Sequence, residues 1–88
     1  MTNGHDTEDR LRAFIIDELN WDGDRRELTP DYPLIDRQVV DSLGITLMVA
    51  FLEDDFGVTV SDEELLPENF DSIRQITDFI DAKRGVRR

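Results

Sequence analysis

Apolar residues recur with a helical period of about 3.6 residues in three segments of the chain. The first segment follows Asp6 or Thr7, either of which would serve as an N-cap. Since its apolar positions fall on one face, we predict an amphipathic helix here. That face consists of Leu11, Phe14, Ile15 and Leu19.

The second segment predicts a helix that begins at Ser42 and stops at Gly57. Glycine is typical just after a helix end because it accepts the left-handed backbone conformation. One arc of this helix would face the core of the fold, and it holds Ile45, Met48, Val49, Leu52 and Phe56.

The third segment predicts a helix whose start is marked by Ser72 and Gln75 at capping-box spacing. The helix frays from Lys83 onward, and its apolar face holds Ile73, Ile76, Phe79 and Ile80. Before it, Ser61 and Glu64 have the same spacing. They predict one short helical piece through Leu66, which Pro67 would end.

A long polar connection over residues 20–40 separates the first two helices. Connections of this length are usually functional or packed down by their own side chains. We therefore predict an all-α fold, a small bundle of three principal helices plus one short helix, with a long first loop. The domain would span residues 6–83, with disordered ends at 1–5 and 84–88. Apolar anchors in the loop are Leu28, Tyr32, Leu34 and Ile35.

The second helix has an unusual back face, opposite its core-facing arc. Leu43, Leu47 and Ala50 lie there with Asp54, and Phe51 sits at the margin. One interpretation is that the long loop folds over this side and buries it. The other is an exposed apolar strip bounded by acids, which is a recognised form of protein-docking surface.

The 88 residues carry a formal charge of -11, which excludes a general nucleic-acid binder and favours a basic protein partner. Residues 38–73 hold nine acids and neither Lys nor Arg. Cysteine is absent, so the chain has no disulfide, thiolate metal site or thiol nucleophile of its own. The longest apolar run, 47–52, is too short to cross a bilayer, and we predict a cytoplasmic protein without a membrane partner.

Catalysis and metal binding find no support in the residues. The single histidine, His5, lies in the predicted disordered end, so no ordered Ser–His pair can form. Asp22, Asp24 and Glu27 suggest a calcium loop, but Pro33 stands where such a loop needs a bidentate glutamate. We therefore predict no enzyme, no catalytic residue and no metal.

Ser42 admits two interpretations. A serine at a helix start commonly accepts a hydrogen bond from an amide one turn on and does nothing more. The same position projects a hydroxyl from a helix N-terminus, where free amides and the helix dipole favour a phosphate group. The charge of Asp41 works against such a group.

Residues 41–44, DSLG, are followed by an apolar helix, by EDDFG at 53–57 and by an acidic DEEL at 62–65. Together with PENFDSI at 67–73, this run resembles an acyl carrier protein. The order of helices matches over residues 7–82, so the resemblance covers almost the whole chain.

The resemblance implies that Ser42 carries 4′-phosphopantetheine, transferred from coenzyme A by a magnesium-dependent phosphopantetheinyl transferase. The thiol of that arm would hold acyl or aminoacyl groups as thioesters, and the carrier itself would catalyse nothing. Further partners would be an acyl- or aminoacyl-loading enzyme and a downstream synthase or transferase with basic docking surfaces, meeting a monomeric carrier. The recognition residues would be Asp41, Leu43, Leu47, Glu53, Asp54 and Asp55.

Three positions depart from the family pattern. Many members have a glycine just before the Asp-Ser pair, where this chain has residues 37–40, RQVV. Fatty-acid carriers typically have acids where this chain has Gly44 and Leu47. These changes point to a carrier of polyketide or nonribosomal peptide assembly. The alternatives are a fatty-acid synthesis carrier, or an unmodified acidic interaction module in which Ser42 is only a cap.

Overall fold

The computed structural model describes residues 4–19 and 21–85, and within those ranges it is built of helices and loops without a β-strand. Two 3-10 turns lie at Arg25–Glu27 and Asp62–Glu64. The predicted all-α fold, with three principal helices, one short helix and a long first loop, is confirmed. The helices are α1 (Gly4–Glu18), α2 (Ser42–Phe56), α3 (Pro67–Phe70) and α4 (Ile73–Arg84).

The outer helix boundaries differ from those expected. α1 begins at Gly4 rather than after a cap at Asp6 or Thr7, and Thr7 is buried within the helix. α4 continues through Lys83 to Arg84, and the following Gly85 caps it in the left-handed conformation at φ 74°. Most of the predicted disordered ends, at 1–3 and 86–88, lies outside the described residues.

The short helix forms later in the chain than the capping-box spacing suggested. The Ser61 amide does donate to Glu64 Oε1 at 3.0 Å, but the piece it starts is a 3-10 turn that ends at Glu64, not Leu66. Pro67 then occupies the first position of α3. Proline suits that position because a first-turn amide has no partner inside the helix.

The core draws on every helix and on the long first loop. Burial of one large apolar side chain stabilises a fold by ~1.5–3 kcal/mol. The buried residues of the long first loop therefore stabilise the core as well as connecting α1 to α2. The buried apolar residues are Leu11, Ile15, Leu28, Leu34, Val39, Val40, Met48, Leu52, Phe56, Val58, Phe70, Ile73, Ile76 and Ile80.

Backbone hydrogen bonds fasten the long first loop to the beginning of α4. The Leu34 amide donates to Asp71 O at 2.6 Å, and the Arg74 amide donates to Pro30 O at 2.9 Å. The Val39 amide in turn donates to Leu34 O at 2.8 Å. The residues just before α2 are thereby tied to α4 through Leu34.

α1 packs along α2 by ring stacking and by an ion pair. The Phe14 and Phe51 rings stack with centroids 4.3 Å apart. Arg10 Nη2 lies 3.2 Å from Asp55 Oδ2, and its guanidinium carbon lies 4.4 Å from the Phe56 ring centroid. α1 therefore covers Phe51.

No helix in the part of the chain that the structure describes is both long enough and apolar enough to span a membrane.

Candidate functional site

Asp41, not Ser42, caps α2. Asp41 has an extended backbone, and its Oδ1 accepts a hydrogen bond from the Gly44 amide at 2.8 Å. Ser42 is thus the first residue inside the helix. The interpretation of Ser42 as an N-cap is wrong, since the neighbouring aspartate already satisfies the amide that a capping serine would bind.

The Ser42 hydroxyl is available for chemistry. Ser42 is exposed, and among the described residues its Oγ makes no hydrogen bond. Its carbonyl, by contrast, accepts from Thr46 Oγ1 at 3.3 Å, which belongs to the helix itself. The exposed hydroxyl is therefore not held by a hydrogen bond within the described residues.

A second Asp-Ser pair, at 71–72, shows what a capping serine looks like in this fold. Ser72 is 7% exposed, and its Oγ accepts a hydrogen bond from the Gln75 amide at 3.1 Å. Modification there would remove the cap of α4 and force a group into the core. Both pairs read Asp-Ser, but the helix cap is the aspartate in the first pair and the serine in the second. This offset of one residue gives the two serines different roles.

A surface groove of about 590 Å³ opens beside Ser42. We call it the Ser42 groove. Its floor is largely aliphatic, and its rim carries the amide and carboxylate side chains, so it could accommodate part of a flexible group attached to the serine. The lining residues are Ile35, Gln38, Val40, Asp41, Ser42, Ile45 and Pro67.

Gln38, at the edge of this groove, has a left-handed backbone with φ 61°. Non-glycine residues adopt this region at a cost. The turn is held nonetheless, because the Gln38 amide donates to Ile35 O at 3.0 Å and the next two amides both donate to Leu34 O. The chain thus makes its bend before Asp41 with a glutamine, three residues ahead of that cap.

The back face of α2 is exposed at Leu43 and Leu47, with 67% and 41% of their surfaces accessible. Ala50 and Asp54 are exposed as well. We call these four residues the apolar strip. Phe51 does not belong to it, because α1 half-buries that ring. Leu43 and Leu47 of the strip line a small cleft of about 70 Å³, whose other side includes Leu19, the residue just after α1.

The three acids at the end of α2 have different tasks. Glu53 Oε2 accepts a hydrogen bond from the Val60 amide at 3.1 Å, which fixes the chain beyond the helix. Asp55 pairs with Arg10. Asp54 has no ion pair or hydrogen bond from its side chain among the described residues, so it is the acid most free to meet a partner.

Other carboxylates support the frame away from Ser42. Lys83 Nζ donates to Glu64 Oε1 at 2.8 Å, and with the Ser61 amide it holds the pKa of Glu64 below its ordinary value. Arg74 Nε donates to Asp31 Oδ1 at 2.6 Å and likewise holds the pKa of Asp31 below its ordinary value. These exposed pairs link the connecting loops to α4, and each stabilises modestly.

Sequence reasoning missed part of the surroundings of Ser42. Pro67 lines the groove although it lies 25 positions further along the chain. Leu65 and Leu66, just before it, are exposed apolar residues. The unusual backbone of Gln38 left no signal in the sequence, because glutamine is not a residue that favours a positive φ.

Comparison with known proteins finds similarity over most of the chain. Residues 9–80 match a family model described as "Phosphopantetheine attachment site". The chain is also similar to a protein named "Acyl carrier protein" from Solidesulfovibrio magneticus, with 30% identity over 77 residues. That alignment covers 88% of this chain and 94% of the relative.

Proposed function

Since the chain belongs to the acyl carrier protein family, whose members hold 4′-phosphopantetheine covalently and are carriers rather than catalysts, we propose that Ser42 is the attachment residue. The observation that carries this proposal is the exposed Ser42 hydroxyl at the first position of α2, relieved of capping by Asp41. We also propose residues 6–83 as the carrier domain, and the matched range 9–80 lies within it.

The residues around Ser42 fit the group. Its phosphodiester would lie at the N-terminus of a 15-residue helix, where the dipole favours a negative charge. Ser42 Oγ would attack the pantetheine-bearing phosphorus of the coenzyme A pyrophosphate and give its proton to the separate transferase. The P–O–P bond would break there, and the adenosine-bearing phosphate part of coenzyme A would leave. Once attached, the arm supplies a thiol that holds acyl or aminoacyl groups as thioesters, and tethering raises their local concentration at each enzyme.

We propose the apolar strip, together with Asp41, as the surface that partner enzymes contact. An exposed leucine pair supplies apolar area, and Asp54 supplies an unpaired negative charge for basic docking surfaces. Glu53 and Asp55 add to the negative potential, but each also holds the fold together. Contacts of this kind weaken with salt, which suits a carrier that must leave one enzyme for the next.

For the pathway, we propose polyketide or nonribosomal peptide assembly, with fatty-acid synthesis as the alternative. The support is the reduced charge of the first turns of α2. Gly44 is buried, and a Cβ there would lie 3.3 Å from Asp41 Oδ1, so an acid at this position would crowd the cap. Leu47 adds apolar surface where an acid would add charge.

Intact-mass measurement after incubation with coenzyme A, Mg²⁺ and a broad-specificity phosphopantetheinyl transferase tests the attachment. We expect the wild-type chain to gain one phosphopantetheine and Ser42→Ala to gain none. Ser61→Ala, which removes another exposed serine, is the matched control and should be modified like the wild type. No mass gain in the wild type, or a gain that persists in Ser42→Ala, would refute the proposal.

A loading assay on the modified chain separates the pathway alternatives. Candidate loading enzymes from fatty-acid, polyketide and nonribosomal systems would each be supplied with their acid. Transfer only by a fatty-acid system would overturn the specialised assignment while leaving Ser42 as the attachment residue.

A further inference from the structure

A second groove, of about 300 Å³, gathers arginines on this strongly acidic chain. We call it the arginine groove. Three of its six lining residues are arginines, and none is an acid. The floor between the guanidinium groups is formed by uncharged loop residues. The full lining is Arg12, Arg25, Arg26, Leu28, Thr29 and Pro30.

Arg12 is the fixed member of the groove. Its side chain is 17% exposed, its Nε donates to Leu28 O at 2.9 Å, and its Nη1 lies 3.0 Å from Asp9 Oδ1. Two of the five guanidinium N–H donors are thus engaged, and the others remain for a further acceptor. Because the group is held by the fold, little side-chain entropy is lost when an acceptor binds.

Arg25 and Arg26 stand on the 3-10 turn opposite α1. Arg26 is oriented by Asp24, which lies 3.1 Å from its Nη2. Arg25 has no ion pair or side-chain hydrogen bond among the described residues. Five of the eight Lys and Arg side chains in the described residues form an ion pair with an acid. Arg25 does not, and it differs from the other unpaired arginines in lying beside two further arginines in one groove.

The arginine groove is separate from the surface proposed to meet partner enzymes. It shares no lining residue with the Ser42 groove or with the cleft beside the apolar strip. On α1, Arg10 and Phe14 face α2, whereas Arg12 faces the long loop. The two surfaces are therefore formed by different residues.

We propose that the arginine groove is a docking surface for an acidic segment of a partner protein, which inserts aspartate or glutamate carboxylates between Arg12 and Arg25. Guanidinium groups match carboxylates in shape and bind them in bidentate fashion. A nucleic acid is disfavoured, because its regularly spaced phosphates would extend beyond the groove onto Asp9, Asp24 and Glu27. A flexible acidic peptide can place two carboxylates in the groove and turn its other charges away from these acids. This inference does not depend on modification of Ser42.

Titration of the isotope-labelled chain with a hexaglutamate peptide, followed by two-dimensional NMR, tests the proposal. We expect shifts at Arg12 and at residues 25–30, and weakening by added salt. Arg25→Glu combined with Arg26→Glu should raise the peptide Kd by at least roughly tenfold, since loss of one charged hydrogen bond suffices for that factor. Arg37→Glu combined with Arg84→Glu makes an equal charge change at two other exposed arginines, and this matched control should leave the peptide Kd nearly unchanged.

Separate titrations with inorganic phosphate and with a single-stranded oligonucleotide distinguish the ligand class. Shifts at the arginine groove with either of these, but not with hexaglutamate, would overturn the proposal. So would hexaglutamate shifts spread over all arginines, or equal weakening by Arg37→Glu combined with Arg84→Glu. The spectrum of the double variant shows independently that the chain remains folded.

Discussion

Replacement of Asp41 tests whether this side chain fixes the start of α2 or is recognised by partner enzymes. Its Oδ1 accepts the Gly44 amide at 2.8 Å, and Asp41→Ala leaves that amide without the acceptor. Loss of an N-cap side chain costs about 1 kcal/mol, within a range of about 0.5–2 kcal/mol. In a domain of 60–100 residues such a loss lowers Tm by about 4–8 °C. Thermal unfolding followed by far-UV circular dichroism measures it.

Asp41→Asn is the matched control, because asparagine caps helices about as well as aspartate but carries no charge. We expect this variant to regain most of the lost Tm. If the transferase recognises the carboxylate, modification of Ser42 will remain slow in Asp41→Asn, as shown by an intact-mass time course. The pair of variants thus separates the stability of the helix start from charge recognition.

Two results would refute this reasoning. An unchanged Tm in Asp41→Ala would show that the hydrogen bond to Gly44 does not stabilise α2. A Tm in Asp41→Asn as low as that of the alanine variant would assign the effect to charge and the helix dipole instead. Modification of Asp41→Asn at the wild-type rate would remove Asp41 from the recognition residues.

Three further predictions follow from the described contacts. Leu47→Glu and Asp54→Lys should each slow modification or loading while changing stability by less than about 0.5 kcal/mol, as expected for exposed positions. Gln38→Gly should stabilise the chain by up to about 1 kcal/mol in urea unfolding, because glycine relieves the left-handed strain. Lys83 and the Ser61 amide lower the pKa of Glu64. Ionised Glu64 therefore stabilises the fold fully above the ordinary pKa near 4.5, and this contribution is lost as the pH falls through the lowered pKa. Glu64→Gln should therefore flatten that part of the acid-unfolding curve.

Each of these has a control within the chain. Met48→Ala, adjacent to the apolar strip but fully buried, should cost ~2–5 kcal/mol, and a similar loss in Leu47→Glu would show that Leu47 is core. Gln38→Val should destabilise, because a β-branched residue resists a positive φ. Glu63→Gln, which makes the same charge change at a neighbouring exposed position, is the control for Glu64→Gln.

The helices could be predicted from the sequence because their signals are local. The bounds of α2 at Ser42 and Phe56 match the prediction, since the apolar period and Gly57 act within a turn or two of each other. The start of α4 followed equally from Ser72. The predicted start of α1 was too late, and the prediction joined α3 to the preceding turn. Both segments hold few apolar residues, so their hydrophobic periodicity is weak.

The candidate site was predictable as a motif but not as a structure. Position and residue type singled out Ser42, and the resemblance explained why a serine should stand there. The choice between a cap and an exposed hydroxyl required the backbone, because Asp41 and Ser42 compete for the same amides within one residue of each other. The identical pair at 71–72 resolves the other way.

By itself, the sequence determined the helical class, the length of α2, the acidic character and the residues available for attachment. Only the tertiary structure decided which side chains have contact partners far away in the sequence. Arg10 and Asp55 pair across 45 positions, whereas the neighbouring Asp54 has no ion pair among the described residues. Phe51 is covered by α1, and Arg12 meets the long loop to form the arginine groove. The hydrophobic period and the caps of a helix depend on neighbours a turn away. The contacts of a side chain depend on which distant segments pack together.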